Sequence, residues 1–175
     1  MVDSDKRYTG RIGKGMTLVA WLIVLGLLTL YFNNKLVTQR NPNQTVYSRI
    51  NEAGVQEVVL KRNRFGHYVT TGTVNGHSVE FMLDTGATGV AVPQHIANDL
   101  LLKRGAALQL QTANGVATGY SATLDQVAVD GIMLENVRAI INPNDDSDVI
   151  LLGMSFLKKI EFTQRGDILI LRQYP

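Results

Sequence analysis

Asp84 is the residue of this chain best placed to do chemistry. It ends the apolar run Phe81-Met82-Leu83 and is followed by Thr85-Gly86-Ala87-Thr88. A strand favours apolar residues, so a carboxylate at its end is costly unless the site uses it. Gly86 lets the backbone turn sharply and come close to whatever binds there. A carboxylate on such a turn suits activation of a water molecule, but hydrolysis by carboxylates needs two of them. One must be ionised to accept the water's proton, and the other protonated to donate to the scissile carbonyl. Two such groups about 3 Å apart share a single proton and titrate as a unit. Asp125, Asp130 and Asp167 stand in a strand interior and two turns, and none lies in an apolar-Asp-Thr/Ser-Gly frame. The second carboxylate is therefore expected from Asp84 of a second chain across a two-fold axis, which makes the chain a homodimer.

Around this segment stand Gly66-His67-Tyr68, Val74-Asn75-Gly76, Thr112-Ala113-Asn114-Gly115 and Ile150-Leu151-Leu152-Gly153-Met154-Ser155-Phe156-Leu157. With Leu83-Asp84-Thr85-Gly86-Ala87-Thr88 they resemble the bacterial membrane-anchored, retropepsin-like aspartic proteases, over residues 55–172. The resemblance implies a mostly β fold: a closed β-barrel equivalent to half of a two-lobed aspartic protease, with short helices. It implies a catalytic Asp84 and an active-site loop supported by Thr85, Gly86, Ala87, Leu152 and Gly153. Thr85 would interlock with its copy in the second chain, and Gly153 would allow tight packing behind the loop. The hairpin Thr112, Ala113, Asn114 and Gly115 would be a flap closing over an extended polypeptide substrate. No cofactor and no metal is expected. An alternative is a non-catalytic periplasmic binding or assembly module on the same β-fold. The intact Asp84 favours the enzyme, since a binding module would tolerate its loss.

These residues need elements to hold them. From Val55 the pattern is that of strands. Val58-Val59-Leu60 leads through a turn cluster to His67–Val74, and Asn75-Gly76 is a strong two-residue hairpin signal. The returning strand, His77–Leu83, presents Asp84. Val90–Pro93 is a further strand, and Ile96, Ala97, Leu100 and Leu101 at helical spacing predict a helix over 94–103. Hairpins are expected over 108–120, around Asp130-Gly131 and around Gln164-Arg165-Gly166. Val149–Leu152 reads as a buried strand and Met154–Lys159 as one or two helical turns.

The 175 residues leave room for one domain and an appendage. Residues 16–34 are uncharged and long enough, at ~1.5 Å per residue, to cross a bilayer's hydrocarbon core. No small-x-small cleavage site follows Phe32, which separates the segment from a signal peptide. The expected organisation is a basic cytoplasmic N-terminus over 1–15, a transmembrane anchor over 16–34, a juxtamembrane linker over 35–54 and the protease domain over 55–175. Lys6, Arg7, Arg11 and Lys14 precede the span and only Lys35 and Arg40 closely follow it. The positive-inside rule then sends the domain across the membrane, in a bacterium into the periplasm, with a single pass through the inner membrane.

Residues 1–34 hold four basic and two acidic side chains, so the rest carries 13 of each and is formally neutral. No overall basic balance argues for nucleic acid. Without cysteine the chain has neither thiol catalysis nor cysteine-ligated zinc. His67, His77 and His95 lack metal-ligand spacing, and Asp145-Asp146-Ser147-Asp148 lacks that of a calcium loop.

Overall fold

The computed structural model describes the backbone of residues 5–112 and 115–175, with side chains for 15–111 and 115–175. The chain forms two compact units, Met1–Thr38 and Gln39–Pro175.

The first unit is helical, part of α1 (Asp5–Arg40). Within α1, the stretch Gly15–Arg40 contains an 18-residue window with a mean hydropathy of 2.1, none of it buried by protein. It is long and apolar enough to cross a membrane. Thr29, the polar residue deepest in its C-terminal half, donates its hydroxyl to the Leu25 carbonyl at 2.8 Å, so the helix itself satisfies it.

The second unit is mostly β. Its strands are β1 (Ser48–Ile50), β2 (Gln56–Lys61), β3 (Val69–Val74), β4 (His77–Leu83), β5 (Val90–Pro93), β6 (Ala107–Thr112) and β7 (Gly115–Val129). They continue with β8 (Ile132–Asn142), β9 (Ile150–Leu152), β10 (Glu161–Arg165) and β11 (Ile168–Gln173). Two short helices, α2 (Gln94–Asp99) and α3 (Met154–Leu157), interrupt them. One sheet has the order β1-β2-β11-β10 and the other β3-β4-β9-β5-β8-β7-β6. β3 also pairs with β7, at Thr73↔Ala128 and Val74↔Val127 only. The larger sheet thus curls back on itself without completing the closed barrel expected above. Gly72 permits that approach, since a Cβ there would lie 2.3 Å from the Ala128 carbonyl oxygen. Phe81, Phe156, Leu124, Ile132, Ile141, Ile150, Leu152 and Leu171 are fully buried and form the core.

The turn between β3 and β4 follows from Asn75-Gly76. Both residues have positive φ, 50° and 82°, the backbone of a type I′ hairpin. Asn75 also exchanges hydrogen bonds with Gln126 of β7, its N–H donating at 2.9 Å and its Oδ1 accepting at 3.0 Å. The hairpin that delivers Asp84 is therefore pinned at both ends.

Three expectations differ from the structure. The helix predicted over 94–103 ends at Asp99. Leu100 turns into the core, and Leu101 takes a left-handed φ of 53° in a helix-terminating turn. The hairpin expected over 108–120 does not end there, because its second strand, β7, runs 15 residues to Val129. Most consequentially, residues 35–54 are not a free linker. Helix α1 runs on to Arg40, and Asn43 is built into the sheet, 4% exposed. Its side chain donates to the carbonyls of Val69 (2.7 Å) and Lys61 (2.9 Å) and accepts from the Lys61 N–H (2.7 Å). A polar Asn-Pro-Asn reads as linker because asparagine is commonest in turns, yet its amide can also mimic a missing backbone partner.

Asn43→Ala leaves those buried backbone groups unpaired, at a cost of about 3 kcal/mol. Thermal unfolding of the full chain in detergent is expected to show a clearly lowered midpoint, with Thr45→Ala, at an exposed position, as the neutral control.

Candidate active site

The Asp84 loop leaves the C-terminal end of β4, an inner strand of the larger sheet. β4 pairs antiparallel with β3 on one side and parallel with β9 on the other, with Leu83 opposite Leu152. Two backbone hydrogen bonds carry this register into the loop. The Asp84 N–H donates to the Leu152 carbonyl at 3.2 Å, and the Leu83 N–H to the Tyr68 carbonyl at 3.0 Å. The Asp84 side chain is half-buried, and its Oδ1 accepts the Gly86 N–H at 2.8 Å. That bond closes a turn and orients the carboxylate while leaving Oδ2 available. A Cβ at Gly86 would meet Asp84 Oδ1 at 3.1 Å, so a side chain there would push the carboxylate aside by a few tenths of an ångström.

Behind the loop lies Gly153. A Cβ at this position would sit 2.6 Å from the Ala87 carbonyl oxygen and 2.2 Å from that of Gly89. The Met154 N–H donates to the Ala87 carbonyl at 2.8 Å. Leu152, fully buried, anchors this contact in the core. So Asp84, Gly86, Ala87, Leu152 and Gly153 come together in one assembly. Thr85 stands on its outer side, exposed, with no hydrogen bond to its hydroxyl among the described residues.

A further clamp was not read from the sequence. Ser155 is 8% exposed; its hydroxyl accepts the Val90 N–H at 3.0 Å and donates to the Arg138 carbonyl at 2.7 Å. It ties the end of the loop, β5 and β8 to α3. A serine just inside a short helix is common enough that only its neighbour Gly153 could have pointed to it.

Beside Asp84 and Thr85 lies a cavity of about 250 Å³ walled by Tyr68, Leu157, Phe162 and Leu169. Phe162 belongs to β10, an edge strand exposed along its length. Glu161, on the same strand, accepts from the Tyr174 hydroxyl (2.7 Å) and from Arg172 of β11 (2.9 Å). Together they hold it below the usual carboxylate range and keep it an anion.

The hairpin predicted at 112–115 is present as β6 and β7, with Thr112 opposite Gly115. Gly115 has a φ of 108°. Ala113, Asn114 and the side chain of Thr112, which complete the proposed flap tip, lie outside the described residues. Among the described residues no cluster of His, Asp and Glu could hold a metal ion.

Residues 70–159 match the family described as "gag-polyprotein putative aspartyl protease". A Sinorhizobium protein of uncharacterised function, from the cobV 5′ region, is 34% identical over 93% of this chain and 75% of its own length. An uncharacterised protein of Rickettsia prowazekii is 31% identical over 67% of this chain and 52% of its own. Among solved structures, a retropepsin-like aspartic protease from Rickettsia conorii is 32% identical, with a TM-score of 0.59. The match covers 74% of this chain and 96% of that one.

The packing behind the loop gives a direct test. Gly153→Ala forces backbone apart at Ala87 and Gly89, and is expected to destabilise the domain by about 2 kcal/mol. Chemical denaturation monitored at the single tryptophan does not report on the domain, because Trp21 lies in α1. Far-ultraviolet circular dichroism of the β signal does.

Proposed function

We propose that this chain, which belongs to the gag-polyprotein aspartyl protease family and has a retropepsin-like fold, is a membrane-tethered endopeptidase whose active site is shared by two copies. The observation that carries the reading is the single Asp84 carboxylate, held by Gly86 on a loop braced by Gly153. One such loop supplies half of the chemistry. Two loops facing each other across a two-fold axis supply the other half, with one proton between the two carboxyls.

In this reading the ionised member takes a proton from the bound water as its oxygen attacks the scissile carbonyl. The protonated member donates to the carbonyl oxygen, giving a neutral tetrahedral diol. Proton transfer to the departing nitrogen then breaks the C–N bond and returns the pair to its single-proton state. Thr85, exposed and with no hydrogen bond to its hydroxyl among the described residues, is the group that the second loop would engage. Gly86, Ala87, Leu152 and Gly153 hold the geometry. The hairpin ending at Thr112, Ala113, Asn114 and Gly115 would close over an extended substrate and exclude water.

The tether follows from α1. We place its membrane-spanning part within Gly15–Arg40, with the N-terminus cytoplasmic and the domain on the far side of a bacterial inner membrane. Tethering both copies to one membrane raises their effective concentration, so a weak dimer suffices.

Asp84→Asn keeps size and hydrogen bonding but removes the ionisable carboxyl. Peptidase activity of the purified full chain is expected to fall by about 10³-fold or more, with folding intact. Mixed dimers of wild-type and Asp84→Asn chains should be nearly as inactive as the double mutant, because the pair acts as one unit. Wild-type rate against pH should be bell-shaped with an acidic optimum. Substantial activity in Asp84→Asn protein at any pH would contradict the mechanism.

Topology is tested separately. A reporter active only outside the cytoplasm, fused after Pro175, is expected to be active. Silence there, with activity from a cytoplasm-only reporter at the same site, would reverse the orientation.

A further inference from the structure

The 39–175 unit is nearly balanced in charge, but its charges are unevenly spread. A groove of about 750 Å³ starts at Thr88 and Gly89, immediately after the Asp84 loop, and runs outward between the 101–105 segment and the outer face of β7 and β8. Lys103, Arg104, Arg138 and Lys158 line it against a single carboxylate, Asp125. All four cations are exposed, and none is ion-paired to a carboxylate among the described residues. Arg104 lies over the Tyr120 ring at 4.8 Å, which holds its guanidinium at the groove. Four like charges around one concavity raise each other's energy, and a bound anion removes that cost.

A second observation concerns the groove's rim. Leu101 closes α2 in a left-handed conformation, φ 53°, with the Leu102 N–H on the Ala97 carbonyl and its own N–H on Asn98. Glycine is the usual residue in that position, because the Cβ of any other residue crowds the following carbonyl oxygen. Leu101 is nevertheless 87% exposed, so burial within the chain does not repay the strain. An exposed, strained leucine lining a cavity fits a residue kept for contact with something bound. Leu108 and Ile140 add apolar surface to the same groove, and β6, which carries Leu108, has one edge unpaired in its sheet.

We propose that this groove recognises an acidic, partly apolar segment of the polypeptide substrate, lying in extended form beside the catalytic loop. The proposal rests on the peptidase reading for the word substrate, though not for binding. A polypeptide fits better than a nucleic acid. The free edge of β6 offers backbone hydrogen bonds to an added strand, and among the described residues no aromatic side chain lines the groove for bases to stack on. Cleavage would then favour sites flanked by Glu or Asp a few residues from the scissile bond, with apolar side chains between them meeting Leu101, Leu108 and Ile140.

Binding is measured on the full-length Asp84→Asn chain in dodecyl maltoside micelles, by fluorescence anisotropy. The probe is a labelled peptide of about ten residues alternating Glu and Leu, compared with a version carrying Gln for Glu. The acidic peptide is expected to bind about tenfold more tightly, with the difference shrinking as salt is raised. Lys103→Glu/Arg138→Glu/Lys158→Glu should remove that preference, while the charge-matched control Arg49→Glu/Lys61→Glu/Arg165→Glu retains it. Leu101→Gly suits the backbone and should raise the unfolding midpoint while weakening the peptide. Equal binding of the two peptides, or an unchanged preference in the groove variant, overturns the proposal. Assays of the wild-type chain on a protein bearing the same segment separate the two readings. No cleavage with binding intact overturns the peptidase reading alone. Cleavage with a KM unaltered by the groove substitutions overturns the groove's role.

Discussion

The contact between Gly153 and the carbonyls of Ala87 and Gly89 is the constraint on which the rest of this structure depends. A loop that must expose a carboxylate cannot bury much of itself, so it has little hydrophobic stabilisation of its own. Here its rigidity is borrowed. The backbone after β9 comes so close that no side chain fits, and the Met154 N–H reaches the Ala87 carbonyl at 2.8 Å. Leu152 at the end of β9 is fully buried and opposite Leu83, so the loop inherits the stability of the core one residue away.

The topology follows from that requirement. β4 and β9 run parallel, which a tight hairpin cannot achieve, and the intervening chain must travel through β5 to β8 before returning. The detour builds the hairpin β6–β7 and the groove outside β7 and β8. Ser155 closes the circuit, its hydroxyl joining Val90 of β5 to Arg138 of β8. One serine and one glycine, two residues apart, thereby fix the C-terminal side of the loop that carries Asp84.

The segment that follows α1 is held with similar economy. Asn43 supplies three hydrogen bonds to Lys61 and Val69, completing the ladder of β2 and β3 where no further strand is available. Asn63 adds a bond from its Nδ2 to the Arg40 carbonyl at 2.9 Å, satisfying one of the unpaired groups at the end of α1. Arg40 and Asn43, both in the segment expected as linker, are thus hydrogen-bonded to the β unit.

What the sequence determined by itself was local. Asn75-Gly76 dictates a type I′ turn because only residues tolerant of positive φ fit it, so β3, β4 and the placement of Asp84 at the end of β4 were legible. The uncharged run of α1 and the single Asp-Thr-Gly were legible for the same reason: each is a property of adjacent residues. The resemblance supplied Gly153 as the loop's support, which periodicity alone reads as the end of a core strand. The tertiary structure decided everything that depends on residues far apart in the chain. Asn43 looks like linker until Lys61 and Val69 are beside it, and Leu101 reads as one more helical position until Leu100 turns into the core. Lys103, Arg138 and Lys158 are scattered surface cations until α2, β8 and α3 set them around one groove. A side chain's meaning in these cases is set by which backbone groups and charges become its neighbours, and the folded sheet alone brings those together.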